Sequence, residues 1–122
     1  APAPPPRSPS RPAGPAIRDI ALFQLDEAFA VQVLAFPVPF GIADDDPRVN
    51  RYGGAIATGH PLASSGIRLM TQLARQFEEN PDVRYGLTAM CIGIGMGGAV
   101  LWENPNHPDY GNERDAAIGA VA

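Results

Sequence analysis

The chain has 122 residues, a net charge of −4 and a single cysteine. Its charges are scattered with no basic stripe, which argues against a nucleic-acid partner, and no apolar run reaches the ~18 residues of a membrane span. One modest domain is the most this length suits, and a lone cysteine excludes an internal disulfide, as expected of a cytoplasmic protein.

Residues 1–18 read as a Pro- and Ala-rich arm. Prolines remove backbone donors and block helix, so an extended, disordered arm is expected rather than an element of the fold. It lacks the apolar core of a secretory signal. Asp19 to Leu25 reads as a short buried strand. Asp26 is placed to cap a helix running to about Phe36, with Glu27 capping the same helix. Phe29, Val33 and Phe36 share one face at helical spacing, and Pro37 and Pro39 end it.

Gly41 to Arg48 reads as a polar loop carrying Asp44, Asp45 and Asp46. No further ligands follow at a binding-loop spacing, so these aspartates are expected to be solvated and no metal is expected. A short strand near Val49 leads into a small-residue stretch with Gly53, Gly54, Ala63, Ser64, Ser65 and Gly66. Small residues let a backbone approach a neighbour or ligand closely. His60 sits inside it, fixed between Gly59 and Pro61.

Leu62 to Glu78 shows helical periodicity, with Ile67, Met70, Leu73 and Phe77 expected inward and Arg68, Arg75 and Glu79 outward. Asn80-Pro81-Asp82 ends that helix. Arg84 to Ile92 and Met96 to Glu103 read as two strands joined by Gly93-Ile94-Gly95, an antiparallel hairpin. Residues 104–122 read as a polar tail. Strand, helix, short strand, helix, strand, strand is an α/β pattern.

Two residues carry the chemistry. Taken alone, a single histidine in an apolar frame is more often structural than catalytic, but neutral imidazole takes protons from thiols near neutral pH. A lone cysteine in a strand is usually inert packing. Cys91 stands at a strand end before a glycine turn, where its thiol is accessible and open to tuning by neighbours.

The run VNRYGGAIATGHPLASSGIR, from Val49 to Arg68, resembles the histidine-bearing loop of thiolases. Leu25-Asp26-Glu27-Ala28-Phe29-Ala30 resembles the family's NEAFA block, and Cys91-Ile92-Gly93-Ile94-Gly95-Met96-Gly97 its CxGxGxG block. The three blocks stand in the family's order and span about Asp19 to Glu103. The resemblance implies a partial thiolase C-terminal half of three-layer α/β type, with its first strand and helix missing. It implies acyl transfer between coenzyme A and an enzyme cysteine, with carbon–carbon cleavage or formation, as in fatty-acid β-oxidation.

By that resemblance His60 activates the nucleophilic cysteine and helps stabilise the thioester oxyanion. Cys91 is the acid/base at the carbon nucleophile, not the acylated residue. Asp26 stands where the family usually has Asn, whose amide helps hold a catalytic water; an ionised carboxylate only accepts hydrogen bonds. Gly54 and Gly93 are expected beside the substrate. Coenzyme A thioester is substrate, and no resident cofactor is implied. The acylated cysteine must come from a longer parent chain or a partner chain, so the chain alone is expected to be inactive. The alternative is a non-catalytic remnant that binds a thiolase-like partner or itself through exposed strand edges.

Overall fold

The computed structural model describes residues 15–112. The expected arm therefore lies outside the described residues up to residue 14, and the expected tail from residue 113 onward. Within the described part the elements are β1 (Ile20–Leu25), α1 (Ala30–Ala35), α2 (Ala55–Thr58), α3 (Leu62–Glu79), β2 (Tyr85–Gly93) and β3 (Met96–Glu103). They form an α/β unit around a sheet of order β1-β2-β3. β1 and β2 are parallel, a pairing that requires a crossover, and α3 supplies it. β2 and β3 are the expected antiparallel hairpin.

β1 is apolar almost throughout because both of its faces are covered. Leu22 points toward α3 and packs with Leu73 and Phe77. Ile20 and Phe23 pack on the opposite side with Ile42 and Tyr85. Three residues apart, Ile20 and Phe23 reach one face because the β1–β2 register shifts between Ile20 and Leu22. Val49 adds a single parallel bridge to Phe23, where the short strand was expected.

α3 runs where its periodicity predicted, but its buried face is rotated. Ser65, Leu69, Leu73, Gln76 and Phe77 are buried, at intervals that follow one helical stripe. Ile67 and Met70, expected inward, are 67% and 45% exposed. Gly86 sets the helix-to-sheet distance: a Cβ there would lie 2.6 Å from Leu73 Cδ1 and 2.9 Å from Phe77 Cζ.

Three local expectations are corrected. Asp26 does not cap α1; that helix starts four residues later, with Phe29 at its N-cap and no side-chain cap. The Asp26 backbone bridges the sheet and α2 instead, its N–H donating to Ala89 O of β2 at 2.9 Å and its carbonyl accepting from the Ala55 N–H that opens α2, at 2.9 Å. Glu27 turns the chain with φ 61, and its carboxylate accepts from Ile56 N–H at 3.1 Å, so it caps α2. Phe29 is exposed, whereas Phe36 does pack, edge-on to Phe23 at 5.6 Å.

The acidic loop is less free than its composition suggested. Arg48 grips Asp46 through Nε and Nη2, at 3.0 and 2.8 Å, and also donates to Ile20 O. Ile42, inside the same loop, belongs to the core. The tail boundary also shifts. Asn104 is fully buried, and its Nδ2 donates to the carbonyls of Phe77, Asn80 and Val83 at 3.3, 3.2 and 2.8 Å. One side chain thereby ties the end of α3 to the start of β2.

Candidate active site

The site forms at the carboxyl ends of the two parallel strands, where open α/β sheets generally bind ligands. Leu25 pairs with Ala89. Asp26 therefore leaves β1 level with the stretch of β2 that carries Cys91. A cleft of about 280 Å³ opens there, and Asp26 and Cys91 both line it, with Val33, Phe36, Met90 and Gly97 among its walls. The Asp26 side chain is buried at 3% exposure, and among the described residues neither carboxylate oxygen has a hydrogen-bond partner.

His60 approaches the same carboxylate from the other side. Its Nδ1 lies 3.4 Å from Asp26 Oδ1 and 2.8 Å from Ser65 Oγ. The imidazole is partly open to solvent, at 37% exposure. Its loop is held by Arg68, which reaches back from α3 to donate to the carbonyls of Thr58 and Gly59. Gly59 itself has φ 82, a conformation that only glycine adopts easily.

The Asp26 end of β1 is held by Asn50. Asn50 Oδ1 accepts from Leu25 N–H at 2.6 Å, and Nδ2 donates to Glu27 Oε1 at 2.7 Å. Gly54 lies against this junction: a Cβ on it would fall 2.6 Å from the Leu25 carbonyl oxygen. Its place is thus set by backbone packing beside Asp26. Gly93 stands in the hairpin turn with φ 114.

Cys91 is a partly buried free thiol. Its cross-strand partner is Gly97. Directly opposed residues of an antiparallel pair project to the same face. A glycine there leaves no side chain over the thiol, and a cleft wall stays open.

The predicted residues are thus connected through Asp26, which shares the cleft with Cys91 and stands beside His60. Sequence reasoning missed Ser65, Arg68 and Asn50 as site builders. Ser65 and Arg68 lie in the SGxR end of the histidine block, and their spacing from His60 was the available signal. Asn50 gave none, because its role depends on a turn with φ 46 that brings it back to β1.

The family description "Thiolase, C-terminal domain" matches residues 1–104. The chain belongs to the thiolase family. That match includes the Pro/Ala-rich stretch set apart in the sequence as an arm. Among similar proteins, the β-ketoadipyl-CoA thiolase of Acinetobacter baylyi is 51% identical over 82 residues, which is 67% of this chain and 20% of that one. The 3-ketoacyl-CoA thiolase of Serratia proteamaculans is 48% identical over 92 residues, 75% of this chain and 24% of that one. The solved peroxisomal 3-ketoacyl-CoA thiolase of Saccharomyces cerevisiae superposes with a TM-score of 0.62 at 41% identity, covering 72% of this chain and 24% of that one. That structure is described as five-layered and built from two core domains of identical topology. The chain thus spans about a quarter or less of the thiolases it matches. Among its described residues no helix is long and apolar enough to cross a membrane.

Proposed function

We infer that these residues supply the acid/base half of a thiolase active site, which moves an acyl group between coenzyme A and an enzyme cysteine. The supporting observation is that Asp26 lines the Cys91 cleft while lying 3.4 Å from His60 Nδ1. In this reading His60 takes the proton of the nucleophilic cysteine's thiol; in the cleavage direction that sulfur attacks the ketone carbonyl β to the thioester, and in the synthetic direction it attacks an acyl thioester carbonyl and expels coenzyme A. When the carbon–carbon bond breaks, the Cys91 thiol gives its proton to the departing carbon; in the reverse direction the Cys91 thiolate removes one. Asp26 accepts a hydrogen bond from a water, and that water's other proton is free for the thioester oxygen. The apolar cleft wall of Val33, Phe36 and Met90 suits an acyl chain, in keeping with fatty-acid β-oxidation in the cytoplasm.

Cys91 is the sole cysteine of the sequence, so the acylated cysteine belongs to another part of the enzyme, in a longer chain or a partner. The test is thiolysis of acetoacetyl-CoA by the purified chain, with and without a polypeptide carrying a thiolase N-terminal half. No turnover is expected from the chain alone, and turnover is expected on complementation. His60→Ala or Cys91→Ser should then lower kcat by about 10²–10⁴, the range for a lost acid/base group. Turnover by the chain alone, or complemented activity that survives both substitutions, overturns the reading.

A second reading, a non-catalytic module that binds a thiolase-like partner or itself, is favoured by the exposed Ile67 and Met70 on α3. Under it, a complex with the N-terminal half forms without turnover.

A further inference from the structure

We propose that Ser65 is a positioning residue that holds His60 as its Nδ1–H tautomer and leaves Nε2 as the bare, proton-accepting nitrogen. The proposal rests on the reading of His60 as a base, and it specifies which ring nitrogen does the work.

A neutral imidazole carries one proton, and the groups around it decide where. Ser65 is fully buried in the first turn of α3, with Oγ 2.8 Å from His60 Nδ1. A hydroxyl also has a single proton to give. The Pro61 carbonyl, four residues earlier, lies 3.3 Å from Ser65 Oγ and accepts that proton, the usual back-bond of a helical serine. Ser65 Oγ then turns a lone pair toward Nδ1. Asp26 Oδ1, a carboxylate acceptor, stands 3.4 Å from the same nitrogen. Two acceptors facing one ring nitrogen require the proton on it.

The reversed arrangement is worse. If Ser65 donated to a bare Nδ1, that nitrogen's lone pair would also face Oδ1. Asp26 already has two buried oxygens without a hydrogen-bond partner among the described residues, and such groups are costly to leave unmatched. Among the described residues no hydrogen bond engages Nε2. With the proton on Nδ1, Nε2 is free to take one from a thiol. Without the Ser65 contact the ring loses its closest acceptor and the tautomers mix.

Ring nitrogen chemical shifts report the tautomer directly, without turnover. The full chain is labelled with ¹⁵N histidine and carries His107→Gln, so that His60 is the one remaining histidine. Long-range ¹H–¹⁵N correlation is recorded across a pH series that extends above the ordinary imidazole pKa of about 6.5, and the tautomer is read where the ring shifts no longer change with pH. The protonated-type shift is expected at Nδ1 with Ser65 present. Ser65→Ala should lose it, moving the ring to Nε2–H or to a mixture, and Ser65→Thr, which keeps the hydroxyl, should retain it. An Nε2–H signature with Ser65 present, or an unchanged spectrum in Ser65→Ala, overturns the proposal. Should Ser65→Ala not fold, the spectra of the Ser65 chain and of Ser65→Thr still decide the tautomer. A failed complementation assay leaves this readout untouched, so the two claims fail separately.

Discussion

Gly97 lies directly across the hairpin from Cys91, and its missing side chain leaves the thiol facing an open cleft. A Cβ at Gly97 would meet only the Met90 carbonyl oxygen, at an ordinary 3.5 Å. Gly97→Val is therefore expected to fold and to cover the sulfur. The rate of Cys91 alkylation by iodoacetamide should fall several-fold relative to the unsubstituted chain. An unchanged rate would mean that the thiol is reached from another side.

Asp26 carries two buried carboxylate oxygens without hydrogen-bond partners among the described residues. Removing the charge while keeping the shape should relieve desolvation, since an uncompensated buried charge is a net cost. Asp26→Asn is expected to leave stability unchanged or to raise it by about 1 kcal/mol in urea unfolding. A loss of more than about 1 kcal/mol would show that the carboxylate makes a stabilising contact with His60.

Asn104 donates to the carbonyls of Phe77 and Asn80 at the end of α3 and of Val83 just before β2. Asn104→Ala strips these acceptors of their buried donor. A destabilisation of about 2–3 kcal/mol is expected in chemical denaturation. Asn104→Asp should cost at least as much, because a carboxylate has no proton to donate. A near-neutral Asn104→Ala would place these carbonyls in contact with water.

Gly86 faces Leu73 and Phe77 too closely for any side chain. Gly86→Ala should cost about 1–3 kcal/mol by overpacking, and Gly86→Ala combined with Leu73→Ala should not add, since the second change makes room. Additive losses would mean that the strand, not the helix contact, needs the glycine.

Asp46 supplies the pH dependence. The side-chain hydrogen bond from Arg48, reinforced by the Arg48 backbone N–H, holds its carboxyl below the ordinary value of 3.8. Its folded value is thus depressed. The stabilisation is present above the unfolded value and is lost as pH falls through the folded one. Asp46→Asn should lower stability at pH ~7 by up to about 1 kcal/mol, as for a partly exposed pair. The difference from the unsubstituted chain should shrink once pH drops below ~4. A constant difference across that range would remove the ion pair as its source.

Much of this architecture was legible because it rests on local signals. The hairpin followed from Gly93-Ile94-Gly95 between two apolar runs, and α3 from its spacing and its Asn80-Pro81 stop. What failed depended on tertiary demand. Asp26 reads as a helix cap, yet its N–H goes to Ala89 of β2 and its carbonyl to the first N–H of α2, at Ala55, so the helix starts later. Ile67 and Met70 satisfy helical periodicity as well as Ser65 and Leu69 do. Which stripe meets the sheet is decided by Gly86, which lets Leu73 and Phe77 dock. His60, Cys91 and Asp26 were singled out from their blocks, and the fold brings Asp26 beside His60 and into the cleft lined by Cys91. Ser65 was passed over because a serine among small residues draws notice only when its five-residue spacing from His60 is weighed.

The folded chain brings His60, Asp26 and Cys91 to one end of its sheet. Cys91 is the sole thiol, so a nitroxide spin label attaches at that one position. Paramagnetic broadening of the labelled chain's NMR signals then measures proximity. Strong broadening is expected for His60, Asp26 and Ala89. It should be weak at Asn80, beyond the other end of an 18-residue helix some ~27 Å long. Sharp His60 and Asp26 signals beside a labelled Cys91 would mean that the three side chains do not share one end of the sheet.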